Sequence, residues 1–193
     1  MAKCLPHLSQ HSPAPAPGHV TLVVTRQPQQ EQMIRNPSPV LFDVATLNAI
    51  RLWLQRFSSE SAKIDVVNPT FERLQVRAKI AVSATRENGA MAQMLRRDLA
   101  RYLSVWTSDP SMRRFGWSLN VHMLRAHIST LSYVDDVTDF SVLHMAGDDS
   151  KTYELLDTAQ SPADPRGLYG PVLKPRFPWS LPLSTRDHML TIV

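Results

Sequence analysis

Residues Ile64 to Trp106 read IDVVNPTFERLQVRAKIAVSATRENGAMAQMLRRDLARYLSVW, and the change of period inside this stretch decides the fold. Leu74, Val76, Ala78, Ile80 and Val82 share one parity, while Gln75, Arg77, Lys79 and Ser83 share the other, with Ala81 the exception. Period two puts each set on its own face, which predicts a strand over 74–83 with one face buried and one face wet or covered by a partner. After the turn residues Arg86-Glu87-Asn88-Gly89 the apolar positions become Ala92, Leu95, Leu99, Tyr102, Leu103 and Trp106. That spacing belongs to an amphipathic helix over 90–106, whose polar side carries Gln93, Arg96, Arg97, Asp98 and Arg101. Asn68-Pro69 punctuates the chain just ahead of the strand and is read as a structural turn. A one-sided strand and a one-sided helix make a layered unit that buries a common face.

Working outward, His19–Thr25, rich in β-branched residues, predicts a first strand and Lys63–Val67 a second. Between them Val40, Val44, Leu47, Ile50, Trp53, Leu54 and Phe57 form the stripe of a helix, with Ser38 as its expected N-cap and Pro39 in its first turn. Strand, helix and strand compose one βαβ-like half. Downstream of the Asp109-Pro110 break, Phe115–Leu119 predicts a short strand. Val121, Leu124, Ile128 and Leu131 space as a third helix capped by Asn120, and Val137–Met145 as a further strand with Thr138, Phe140 and Val142 on one face. The expected class is α+β, in a split-βαβ or ferredoxin-like arrangement of two loosely duplicated halves. The expected organisation is a disordered proline-rich leader over 1–18, an α+β core over 19–145, and a loop-rich extension over 146–193. In that extension Tyr153–Leu156 reads as regular structure. The apolar end Met189–Val193 reads as a strand that needs a sheet edge, in this chain or another.

The chain has 193 residues, 43% hydrophobic and 20% charged, with a net charge of +4 and a pI near 9.5. This is the composition of an ordinary globular protein, and its length suffices for a sizeable core. Lys and Arg are spread along the chain, with small clusters at Arg96-Arg97 and Arg113-Arg114, which describes a solvated surface better than a nucleic-acid footprint. The single cysteine, Cys4, excludes an intrachain disulfide and any CxxC motif. No apolar run reaches the roughly 18 residues of a membrane span. The N-terminus lacks the apolar centre of a secretory signal, so synthesis in the cytoplasm is expected.

Chemistry is scarce. His122 and His127 lie five residues apart, missing the i, i+4 spacing that sets two ligands on one helix face. The other histidines have no supporting pattern of Cys or carboxylates, so no metal and no cofactor is expected. GxSxG, HExxH and glycine-rich phosphate loops are absent from the sequence. The paired acids Asp135-Asp136 and Asp148-Asp149 fit solvated turns. No enzyme activity is expected. A second reading makes the outward strand residues Gln75, Arg77 and Lys79 a basic sheet face for nucleic acid. That face lacks the aromatic rings that stack on bases, leaving phosphate contacts alone.

Val66-Val67-Asn68-Pro69-Thr70-Phe71, the alternating strand Leu74–Val82 and the helix ending Tyr102-Leu103-Ser104-Val105-Trp106 together resemble the baseplate J-like family. These are wedge proteins of contractile phage tails and related injection systems. Phe115-Gly116-Trp117, the short helix over 121–131 and the strand over 137–143 follow in the family's order, so the resemblance covers about Gly18 to Met145. Members are generally longer, with N-terminal portions where this chain has its proline-rich leader, and the tail Lys174–Ser180 falls outside the core pattern. The resemblance implies a structural subunit, made in the cytoplasm and built into a baseplate. Its partners would be other wedge subunits and copies of itself. Obligate interfaces favour aromatic and Arg anchors, which makes Trp106, Arg113, Arg114, Trp117 and Trp179 the candidate interface residues, together with Arg77 and Lys79 on the strand face.

Overall fold

The structure is a computed structural model that describes residues 1–9, 14–26, 41–83, 88–103, 115–147, 153–160 and 171–193. The chain is mixed α+β, as its alternating periods predict, and it divides into two compact units that part between Pro69 and Thr70.

The first unit holds β1 (Ala2–Pro6), β2 (His19–Val24), α1 (Val44–Gln55) and β3 (Lys63–Val67). β2 and β3 run parallel with α1 between them, from His19 opposite Lys63 to Val23 opposite Val67, which is the βαβ half expected from sequence. The expected leader is in part a strand. β1 pairs antiparallel with β2, from Ala2 opposite Val24 to Pro6 opposite Val20, and the N-terminal amine donates to Thr25 O at 2.9 Å. The physical cause is the open edge of β2, whose unpaired backbone groups gain a full ladder from this short segment. Pro6, which lacks an N–H, is accommodated at the last position of an edge strand.

Helix α1 starts later than Ser38, which lies outside the described residues. Its N-cap is Asp43, whose side chain accepts from Thr46 N at 2.7 Å and Thr46 Oγ1 at 2.9 Å. Asp43→Ala is expected to lower the urea midpoint of this unit by removing the cap of its helix; an unchanged midpoint would show the cap to be idle. The helix packs with Leu47, Ile50 and Leu54 against Val24, Ile64 and Val66, joined by Leu22 and Phe42. The Asn68 amide makes a two-point contact with the Phe42 backbone, accepting from its N and donating to its O, both at 2.9 Å. Asn68 thereby ties the end of β3 to the entry of α1, which gives the expected turn residue a specific partner.

The second unit holds β4 (Thr70–Val82), α2 (Asn88–Leu103), β5 (Leu119–Asn120), α3 (Val121–Ser129), β6 (Val134–Gly147), β7 (Tyr153–Asp157), β8 (Val172–Leu173), β9 (Ser180–Ser184) and β10 (Met189–Ile192). Its main sheet runs β10-β4-β6-β7, with β9 also on β4. Here the central neighbours β4 and β6 are antiparallel, whereas β2 and β3 at the centre of the first unit's βαβ half are parallel. Leu74, Val76, Ala78 and Ile80 of β4 bury against Leu95, Leu99 and Leu103 of α2 and Val121, Leu124 and Ile128 of α3. Asn120 caps α3 as expected, accepting from His122 N at 2.9 Å and Met123 N at 3.2 Å.

β6 departs from the simple alternation. Register shifts fall between Arg77 and Lys79 and between Ala81 and Val82, each leaving one extra residue on β6. At the first of them Asp139 takes φ 48°, a left-handed value that aspartate tolerates better than most residues. The bulge resets parity, so Val137 and Val142 are both buried while Thr138 is exposed. The expected face of Thr138, Phe140 and Val142 is corrected accordingly, because an extra residue turns each later side chain over.

Candidate functional site

β4 is the strand on which the candidate residues converge, and its outward side chains are already engaged. Arg77 Nη1 sits 2.8 Å from Asp157 Oδ2 on β7, and Lys79 Nζ lies 2.7 Å from Asp139 Oδ2 at the β6 bulge. The Gln75 amide donates to the Asp187 carbonyl. Both expected cations thus face carboxylates supplied by neighbouring strands, and what sequence showed as a basic stripe is a row of paired charge. The Lys79 ammonium pKa is raised by its hydrogen bond to Asp139, but the pair is exposed, and exposed pairs contribute little to stability.

The other candidates separate. Trp117 is only 1% exposed and lies in the core of the second unit. Its ring meets His144 edge-on at 5.5 Å, so it is a packing residue in this chain. Trp179 is half-buried. Its indole N–H donates to Thr70 Oγ1 at 3.2 Å and its ring stacks on Phe177 at 5.1 Å. Arg176 lies over the Phe177 ring at 5.4 Å, and the three side chains make a short Arg–Phe–Trp ladder. Trp106, Arg113 and Arg114 lie outside the described residues. Asn68 and a buried Pro69 close β3.

Two buried sites escaped the sequence reading, and both bind the C-terminal segment to β4. The first is Glu72. Its carboxylate is fully buried, with Oε2 2.6 Å from His144 Nε2. Oε1 accepts from Arg176 N at 2.9 Å and Phe177 N at 3.4 Å. Burial pushes the Glu72 pKa up, but the His144 hydrogen bond, the Ser180 hydroxyl, the His144 charge and the Arg176 N–H together bring it below the ordinary glutamate value. The carboxylate is therefore ionised and is the acceptor in this contact, with His144 Nε2 the donor. This pair lies beside an open depression lined by His144, Ala146, Glu154, Leu156, Lys174 and Arg176, where Arg176 Nη1 also meets Glu154 at 2.6 Å. A signal was present in sequence: Glu72 shares the core parity of Leu74 and Val76, where an unpaired carboxylate would be prohibitive.

The second site is His188. β9 pairs parallel with β4 over Thr70–Leu74, and β10 pairs parallel with it over Arg77–Ile80. The apolar C-terminal strand thus finds its sheet edge within this chain. Between the two strands the chain steps away from the edge, and the His188 ring fills the gap. Nδ1 accepts from Val76 N at 3.0 Å, and Nε2 lies 3.0 Å from Ser184 Oγ. Thr185 N donates to Leu74 O at 3.1 Å on the other side of the step. No sequence pattern marks this site, because a side chain here substitutes for a missing backbone partner.

A third feature is the outer side of α1. The stripe expected to be buried is split, with Leu47, Ile50 and Leu54 inward while Val44, Trp53 and Phe57 are 74%, 58% and 74% exposed. Trp53 and Phe57 pair at 4.9 Å, with the exposed Leu52 and Arg56 on the same outward side. Among the described residues the three-stranded sheet covers only part of so wide a stripe, and the remainder is exposed.

No protein-family model and no curated protein matches the chain. Among solved structures its fold is similar to a chain in the cryo-EM structure of the anti-feeding prophage (AFP) baseplate, six-fold symmetrised. The TM-score is 0.54 at 13% identity, covering 94% of this chain and 33% of that one. The present chain therefore spans about a third of the length of that protein, and at this identity the likeness is one of fold.

Proposed function

We propose that this protein is a structural component of a contractile injection system or phage-tail baseplate, a wedge subunit of the baseplate J-like kind. It acts by packing against other subunits and not by catalysis. The observation that carries this reading is a fold likeness running over 94% of the chain to a baseplate protein, in agreement with the family resemblance read independently over about Gly18 to Met145. The side chains support it. The histidines Glu72 and Ser184 engage are structural ties, and the cations of the sheet face are paired, whereas apolar and aromatic groups stand exposed. We assign the assembly surfaces to the Trp53–Phe57 face of α1 and the Arg176–Phe177–Trp179 ladder, with Trp106, Arg113 and Arg114 carried forward from sequence. Their occupant is another baseplate subunit, because aromatic and Arg anchors dominate the energetics of protein interfaces.

Co-expression with the proteins encoded beside it, followed by size-exclusion chromatography with light scattering, tests the reading. A complex containing this chain is expected. Trp53→Asp with Phe57→Asp should weaken retention of the partner at least about tenfold, since hot-spot truncations cost about 2 kcal/mol or more. The same pair should leave the urea midpoint of the isolated chain nearly unchanged, because both side chains are exposed. A strictly monomeric chain that binds no neighbouring gene product would refute the assignment.

A further inference from the structure

Both β9 and β10 lie parallel to β4, and the step between them is bridged at Val76 by the imidazole of His188. That ring is 4% exposed, and each nitrogen has a defined role. Nδ1 must be bare to accept the Val76 N–H at 3.0 Å. The ring proton therefore sits on Nε2 and points at Ser184 Oγ, whose own hydroxyl donates to the Thr185 carbonyl at 3.4 Å. A second proton on Nδ1 would set two N–H groups against each other inside the sheet. The charged groups around the ring give a cation little support. Arg96 approaches from α2 and Asp187 stands next to it in the chain, with the guanidinium opposing protonation and the carboxylate favouring it. From β9 and β4 the ring's hydrogen-bond partners are the Ser184 hydroxyl and the Val76 N–H, both uncharged.

We propose that His188 is a pH-sensitive latch on the C-terminal strand: protonation breaks its bond to Val76 and releases β10 from the β4 edge. Release would bare the backbone of Arg77–Ile80, which β10 covers, and an uncovered strand edge is a template for a strand of another chain. The inference rests on the geometry of this sheet and stands independently of the baseplate reading.

Burial, with the nearby Arg96 charge, lowers the His188 pKa to about 4 against an ordinary value of 6.5. A depressed histidine pKa in the closed state means that the open state binds the proton more readily. The latch is therefore fully effective above pH 6.5, weakens as pH falls from 6.5 towards 4, and loses nothing more below that. Glu72, the other buried tie of the C-terminal segment, titrates below the ordinary glutamate value of 4.5. Between pH 6.5 and 4.5 the two sites are thus separable.

Hydrogen exchange of the full chain, normalised for intrinsic rates, reads the latch directly. In the native protein, protection of the amides of residues 189–193 is expected to fall about tenfold per pH unit between pH 6 and 4.5, the slope for uptake of one proton on opening. Protection of Arg176 and Phe177, held by Glu72, stays level over that window. His188→Gln can accept from Val76 and donate to Ser184 without titrating, and should flatten the profile. Arg96→Gln, at an exposed position, should raise the pH at which the fall levels off. Constant protection of 189–193 from pH 7 to 4.5 in the native chain would overturn the latch. So would a fall in His188→Gln as steep as in the native chain.

Discussion

Glu72→Ala is expected to destabilise the second unit by about 3–5 kcal/mol, the cost of removing one partner from a buried charged pair. The substitution strands His144 Nε2 and the N–H groups of Arg176 and Phe177, all of which now point at one carboxylate. It also removes the group that holds the start of the Arg176–Phe177–Trp179 ladder over the sheet. Glu72→Gln keeps an oxygen for the two backbone donors and a polar group for the imidazole, so a loss of about 1–2 kcal/mol is expected, in the range of one weakened hydrogen bond. Urea unfolding at pH 7, followed by tryptophan fluorescence, measures both. A double-mutant cycle with His144→Ala should return a coupling of about 1–3 kcal/mol, the range for residues in one network. Losses below about 1 kcal/mol for Glu72→Ala would show the pair to be incidental, given the usual cost of stranded buried donors. Because the Glu72 pKa is depressed, its contribution is present above pH 4.5 and disappears as pH falls through its folded value, adding to acid denaturation.

Trp117→Ala should cost a further about 3–5 kcal/mol, by the lost burial of the ring and the cavity left among its neighbours. Sequence offered Trp117 as an interface anchor and the structure buries it in the core, and the two roles predict opposite phenotypes. A core residue lowers the unfolding midpoint of the isolated chain, whereas an anchor leaves it unchanged and lowers partner retention. With 1% of its surface exposed, the core outcome is expected. Trp117→Phe should cost less than the alanine, since the indole N–H finds no acceptor among the described residues and its removal strands no partner. A normal midpoint for Trp117→Ala combined with loss of assembly would return Trp117 to the surface.

The alternating parity of Leu74 to Val82 announced β4, and the apolar spacing of Ala92 to Leu103 announced α2, because each pattern follows from the geometry of a single element. Asn120 as a cap and Lys63–Val67 as a strand were legible for the same reason. What failed to show involves partners far apart in the chain. The carboxylates that cover Arg77 and Lys79 are 80 and 60 residues away, at Asp157 and Asp139, and the outward stripe looks basic until β6 and β7 are in place. The β6 bulge at Asp139 reverses the parity of the residues after it, and no local period reveals that reversal. Likewise α1 carries an apolar stripe wider than its own sheet can cover, so periodicity alone assigns Trp53 and Phe57 to the core.

By itself, then, the sequence determined that the chain is α+β, roughly where β2, β3, β4, β6, β10 and the helices lie, and which face of β4 is dry, since backbone periodicity and side-chain polarity are local properties. Only the tertiary structure decided that Glu72 and His144 share one buried bond, that His188 stands in for a strand at Val76, and that the basic face is neutralised. Those outcomes depend on which groups meet across sequence separations of 72 and 112 residues. There the desolvation of a charge or an N–H is tolerable only because a specific partner arrives.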